Sequence, residues 1–400
     1  MNLNIHLAYQ AASKGDWSAV KTLAGRGVDL KAADAKGRSL VWRAAYDYAD
    51  FEEAKWLIDQ NVPCLDEKEG APWLIYLYRG FRQRHEDDYA DYIDRALSFK
   101  SDEILMRKFL AHRFSIKGSF NLIDRMFSYG GFLTDFTFPE IGRSISKFFL
   151  SADADLTEKE QKDIVKAFTI CDVEADPEIL FSRYRKGKIV NIPTGWDNHS
   201  TAIIIKKGVF LIKGNKGSGK GKKSIQVFEI GRPENITIEL FQGLLASYSS
   251  PQSSRIKKLR KSHQSKRFFR KEINQKLGLA YLSSMSLSTR RQKSDNCCWS
   301  SSAKPSFRAD LFIIYHQRGL SAGKAWKKAD RTFKKWCIWD RKTYLSAYIS
   351  SPNENKDVDL IKKIRQKCSN KEAALIAKGN LSLGAEYRDI SSCCSFQSSR

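Results

Sequence analysis

Leu7-Ala8-Tyr9-Gln10-Ala11-Ala12-Ser13-Lys14-Gly15-Asp16 opens a pattern that returns as Val41-Trp42-Arg43-Ala44-Ala45. Ala11 and Ala44, Asp34 and Glu67, Gly37 and Gly70, and Ser39 and Pro72 are each separated by 33 residues. Between these markers, Val20 and Leu23 answer to Ala54 and Leu57, and Gly27-Val28-Asp29 to Asn61-Val62-Pro63. A period of this length marks a supersecondary unit that cannot bury its apolar face alone and stacks on its neighbour. The paired alanines suit two small helices packed closely against each other. Two repeats are clear. A third begins at Gly70-Ala71-Pro72-Trp73-Leu74, after which the pattern is lost.

The period and these residues resemble the ankyrin repeat, a β-turn followed by two antiparallel helices. Residues 1–78 are therefore expected to be ankyrin repeats, two clear and a third partial. Residues 79–165 are expected to be a helical cap or connector, with Tyr89 to Leu97 and Ile141 to Leu150 as helix candidates. Thr157-Glu158-Lys159-Glu160 opens a further helix, its acidic first turn matching the positive end of the helix dipole.

Beyond residue 166 the pattern turns to strands. Ser200 to Lys206 and Val209 to Lys213 are β-branched and apolar, separated by Lys207-Gly208, and Ser224 to Ile230 makes a third segment. Together they predict an antiparallel meander, followed by a helix over Ile236 to Ser247. A basic insertion occupies about 249–285. Helical pattern resumes at Asn296, where Pro305 is expected to interrupt it, and continues over Ser321 to Trp339 with the tryptophans packed inward. Residues 351–400 are expected to hold a charged helix, Lys356 to Ala377, and a disordered tail ending Ser391-Ser392-Cys393-Cys394. The fold class so predicted is multidomain: all-α repeats and a helical cap, then an α+β domain over 166–350.

The chain has 400 residues, 42% of them hydrophobic, enough for two or three cores. It has no run of 18 apolar residues and no charged start leading into an apolar stretch, so neither a membrane span nor a signal peptide is expected. The eight cysteines, at 64, 171, 297, 298, 337, 368, 393 and 394, form no CxxC pair. Reduced thiols follow, with no disulfide framework, no metal site and no cofactor. The net charge of +24 is local: residues 201–350 hold 32 Lys and Arg against 8 Asp and Glu, while the rest of the chain balances at 37 of each. Such a field attracts nucleic acid or another acidic partner, and its bland counterpart is a solubilising charged face.

Four residues suggest chemistry. Gly195-Trp196-Asp197-Asn198-His199 sets a histidine where a strand starts, and Asn215 follows the neighbouring strand. In an antiparallel pair those ends lie side by side, so Asn215 could orient the His199 ring. Gln292-Lys293-Ser294-Asp295-Asn296-Cys297-Cys298-Trp299 precedes a helix, whose dipole favours a thiolate at Cys297. Gln292 could donate its amide to an oxyanion.

The order His, Asn, Gln, Cys resembles the papain-like cysteine peptidases of the adenovirus-protease and ubiquitin-like-protease clan, which also includes bacterial acetyltransferase effectors. The motif wording is similar to that of ankyrin-repeat effectors secreted into host cells by intracellular bacterial pathogens through Dot/Icm (type IV) systems. The resemblance implies His199 as base, Asn215 as orienting residue, Gln292 as oxyanion donor and Cys297 as nucleophile. It further implies protease or isopeptidase chemistry on a host protein selected by the repeats, in host cytosol or nucleus. Acyl transfer at the same site, or a non-catalytic interaction protein with a basic face, are the alternatives.

Two further signals stand apart. Gly214-Asn215-Lys216-Gly217-Ser218-Gly219-Lys220-Gly221 nearly matches a phosphate loop, but Gly221 replaces the hydroxyl that would meet magnesium, so a basic hairpin loop is the expectation. Lys257, Lys258, Arg260 and Lys261 with Lys266, Arg267, Arg270 and Lys271 form two basic clusters suited to nuclear import or phosphate contact.

Overall fold

The computed structural model describes residues 3–34, 38–48, 50–63, 87–97, 101–122, 125–129, 134–151, 154–171, 175–196, 199–208, 210–214, 224–246, 271–287, 298–351 and 356–394. It is a mostly helical α+β protein in two compact units. The described residues of 1–105 and 119–131 make one, and those of 106–118, 132–248 and 262–400 the other. Among the described residues no helix is long and apolar enough to cross a membrane.

The first unit begins with two helix pairs. Helices α1 (Leu3–Lys14) and α2 (Trp17–Gly25) are followed by α3 (Leu40–Trp42), which runs on as a π turn at Arg43–Asp47, and by α4 (Phe51–Asp59). Ala8, Ala12, Ala44, Ala45 and Ala54 are fully buried, so methyl-sized side chains set the helix spacing. Asp16 caps α2 by accepting from the Ala19 N–H, and Asp50 caps α4 from that of Glu53. These caps are 34 residues apart, although Ala11 and Ala44 are 33 apart. The π turn between them takes up the extra residue, because its wider ring needs one more than an α turn. Each pair then closes on a left-handed residue, Gly27 at φ 84° and Asn61 at φ 56°, the two types that adopt this region most readily.

Helices α5 (Asp87–Leu97) and α6 (Ser101–Phe114) lie within the expected connector. The Tyr92 hydroxyl donates to Asp59 Oδ1 at 2.8 Å and so ties α5 to α4. The connector is not wholly helical, however: β1 (Ser119–Leu122) and β2 (Arg125–Ser128) form an antiparallel hairpin. Here the apolar residues alternate, and Phe120, Leu122, Phe127 and Tyr129 are buried on one side, a period-two pattern that no helix satisfies.

The second unit is built on a five-stranded antiparallel sheet, β3 (Val190–Trp196), β4 (His199–Ile205), β5 (Leu211–Gly214), β6 (Ile225–Ile230) and β7 (Leu279–Tyr281), in chain order. The expected meander is its middle. Helices α7 (Thr134–Ser151), α8 (Glu158–Thr169) and α9 (Pro177–Arg185) precede it. The start of α8 is a capping box, with Thr157 and Glu160 each bonding the other's backbone N–H. Helix α10 (Ile238–Ala246) and the short α11 (Ile273–Leu277) fall between strands. Helices α12 (Lys304–Gln317), α13 (Ala322–Ser350), α14 (Val358–Ile376) and α15 (Leu381–Cys393) complete the unit.

The described residues of β3, β4 and β5 are buried on both faces, and these strands are nearly continuous apolar runs. On one face Asn191 of β3 donates to Asp310 of α12 at 2.9 Å. Burial pushes the Asp310 carboxyl well above its ordinary value. On the other face Lys213 of β5 donates to Asn274 of α11 at 2.6 Å. Burial lowers the Lys213 ammonium to a pKa of about 7.

The expected disordered tail is instead helical as far as Cys393. Ile390, Ser391 and Cys394 are buried, and Ser391 Oγ lies 3.1 Å from Ser369 Oγ of α14. Gly384 lets the two helices approach, since a Cβ there would stand 3.1 Å from Ile376. Residues 395–400 lie outside the described set. Cys171, Cys337, Cys368, Cys393 and Cys394 are free thiols.

A buried ionic cluster joins α6, α7 and α13. Arg113, with no exposed surface, donates through Nε to Asp340 and through an Nη to Glu140, each at 3.0 Å. Ser144 Oγ donates to Asp340 at 2.6 Å and receives the Trp336 indole N–H at 3.0 Å. The guanidinium carbon lies 3.1 Å from the centre of the Tyr344 ring. Burial acts to lower the Arg113 pKa, but Asp340, Tyr344 and Glu140 overcome it and hold the value above normal.

Removing one partner of such a pair strands the other charge. Asp340→Ala is expected to lower stability by about 3–5 kcal/mol in urea unfolding, whereas Arg143→Ala, at the exposed edge, costs about 1 kcal/mol or less. Lys213 gives a pH signature. Its folded pKa lies below that of the unfolded chain, so between about pH 7 and 10 the unfolded state binds the extra proton and stability rises with pH. Lys213→Met removes that rise, and the difference between wild-type and variant unfolding curves should slope only within this window.

Candidate functional site

His199 is the first residue of β4 and pairs in register with Trp196, the last residue of β3. Gly214, which immediately precedes Asn215, ends β5 opposite Ala202 of β4. Asn215, Gln292 and Cys297 themselves lie outside the described residues, as do Lys257, Lys258, Arg260, Lys261, Lys266, Arg267 and Arg270. Lys271 is described, and it is exposed just ahead of α11.

The segment directly after Cys297 is helical. Cys298–Ala303 forms a π turn that runs into α12. Trp299 is 1% exposed. Its ring lies 6.1 Å from that of Phe109, stacks at 6.3 Å on His112, and has the Arg113 guanidinium 4.9 Å from its centre. Lys304 Nζ stands over Trp299 and Trp336 at 5.6 and 5.7 Å.

Pro305 does not interrupt this helix. It occupies the first turn of α12, where its missing N–H breaks no α-helical bond. The change from π to α winding occurs at the same place, where the proline has no hydrogen to give to either register.

Three segments are then joined by hydroxyls. Ser302 Oγ donates to the Thr201 carbonyl at 2.8 Å, and Thr201 Oγ1 donates to the Gly214 carbonyl. Ser306 Oγ donates back to Ser302 O at 2.8 Å. The relay thus links the strand that begins with His199, the residue before Asn215 and the turn that begins one residue after Cys297. Sequence reasoning missed Thr201 and Ser302. It also missed Lys213, although a lysine among Leu211, Ile212 and the apolar β4 is a visible signal of a buried charge. The described strands around the relay therefore offer two hydroxyls and one amine of lowered pKa beside the candidate residues.

A separate open groove of about 770 Å³ lies between α7 and α8, with Phe149, Leu150 and Val165 among its walls. None of its lining residues belongs to the sheet or to Cys298–Ala303, so it is not a cleft of this site. Among the described residues, no group of three or more His, Cys, Asp or Glu is arranged to hold a metal ion.

No family model matches the chain, and no curated protein matches it. Among solved structures it is similar to that of the Legionella effector AnkH, at a TM-score of 0.57 and 19% identity. The likeness covers 96% of this chain and 84% of that one, and it shows a shared fold.

Proposed function

We propose that the chain is a secreted effector acting in a host cell. In this reading its first helix pairs are ankyrin repeats that select a host protein, and its second unit is a papain-like cysteine hydrolase. His199 takes the Cys297 proton, the thiolate adds to the carbonyl carbon of an amide or isopeptide bond, and Gln292 donates to the oxyanion. The proton on His199 passes to the leaving amine as the C–N bond breaks. Water then frees the acyl group from sulfur. Asn215 holds the imidazole in the orientation that serves both transfers.

The hydroxyl relay through Ser302, Thr201 and Gly214 carries this reading, because it brings the turn after Cys297 onto two adjacent strands, one containing His199 and one ending just before Asn215, from 101 residues away. Ser302 and Thr201 are both buried, and each hydroxyl is satisfied by the backbone of another segment, Ser302 on the Thr201 carbonyl and Thr201 on the Gly214 carbonyl. The likeness in fold to a protein described as an effector supports the setting in a host cell.

A thiol-directed activity probe tests the site. Wild type and Cys298→Ala are expected to label equally, while Cys297→Ala and His199→Ala lose labelling by about 10²-fold or more, as removal of an activating base implies. Undiminished labelling of folded Cys297→Ala would remove the cysteine reading and leave a binding scaffold. A labelled enzyme that passes its acyl group to an amine in preference to water would instead be a transferase.

A further inference from the structure

Helix α13 carries eight Lys or Arg and two carboxylates over 29 residues. Neither carboxylate is available to the outward face. Asp340 is buried on Arg113, and Asp330 bonds both Arg308 and Lys334. Lys328 is bound by Asp155, and Lys342 faces Asp389 at 3.7 Å. Lys324, Lys327, Arg331 and Lys335 remain, all exposed and without an ion pair among the described residues.

Their spacing of three, four and four residues sets them on one face about 80° wide, at about 100° per residue. The opposite side buries Ala325, Trp326, Ala329, Thr332 and Trp336. That burial fixes the rotation of the helix and so the direction of the cations. From Lys324 to Lys335 the stripe is about 16 Å long at about 1.5 Å per residue.

We propose that this stripe binds the phosphate backbone of nucleic acid without regard to sequence. From Ser321 to Lys335 the exposed positions are Ser321, Gly323, Lys324, Lys327, Arg331, Lys334 and Lys335. A protein-binding face needs an apolar or aromatic anchor in a desolvated centre, and there is none here. A polyanion needs only fixed positive charges that displace its counterions. About 16 Å spans roughly five base-pair steps of a duplex at about 3.4 Å each, so one side of a duplex can meet all four cations. The inference is independent of the thiol site.

The test uses the full chain and two labelled 20-base-pair DNA duplexes of unrelated sequence, titrated across a salt series. Both duplexes should bind alike. The quadruple variant Lys324→Gln, Lys327→Gln, Arg331→Gln, Lys335→Gln should flatten the slope of log affinity against log salt by about 3–4, since each phosphate contact contributes about 0.9. Circular dichroism of the variant should be unchanged, because glutamine is a good helix former. Cys297→Ala should bind like wild type. Absence of binding by wild type, or an unaltered slope in the folded quadruple variant, would overturn the proposal, the latter moving the footprint to Lys257–Lys271. Equal competition by polyglutamate at matched charge would overturn it in favour of an acidic protein.

Discussion

The second unit is organised by the need to hold the Arg113 cation in a core closed to solvent. A buried guanidinium is tolerated only where carboxylates, hydrogen bonds and ring faces together replace its hydration. Asp340 and Glu140 supply charge to Arg113, Tyr344 covers one face, and Ser144 donates to Asp340 while accepting the Trp336 indole N–H. Each partner comes from a different helix or helical turn, so α6, α7 and α13 cannot shift independently. The same guanidinium lies over the Trp299 ring. The ionic cluster therefore also fixes the turn that follows Cys297, and through Ser302 it fixes that turn against β4.

The sheet receives the constraint and passes it on. Because β3, β4 and β5 are buried on both faces, each polar side chain in their described residues must find a partner inside the protein. Asn191 donates to Asp310 on one face, and Lys213 donates to Asn274 on the other. Thr201 uses its hydroxyl on the Gly214 carbonyl at the end of β5, where the ladder with β4 stops at Ala202 and Gly214. The end of β5, one residue before Asn215, is thus the place where strand pairing gives way to side-chain hydrogen bonding.

Much of this was legible along the chain, and what was not has a common cause. The alanine pairs of the helix repeat, the helix start at Thr157, the meander from Ser200 to Ile230 and the inward tryptophans of α13 are local or periodic features, written within a few turns or strands. The Arg113–Asp340 pair bridges 227 residues, and no local pattern announces it. The hairpin at Ser119–Ser128 was hidden because two four-residue strands offer too few alternations to outweigh the helices around them. The tail was misread for a similar reason: Ser391-Ser392-Cys393-Cys394 looks featureless until α14 provides a surface for it to pack on. At the candidate site, residue order and strand starts were readable. The hydroxyl relay was not, since serines and threonines reveal their partners only in three dimensions.

The charge of the molecule follows from the same architecture. Helix α13 is nearly stripped of free carboxylate because its two acids are committed, one to the core cation and one to Arg308 and Lys334. Holding Arg113 in place therefore leaves the outer face of the helix with uncompensated lysines and arginine. A solubilising surface would be expected to mix both signs. On α13 the outward acids are missing while the inward ones are kept, so the excess is directional, and the packing that holds the helix also holds the stripe in register.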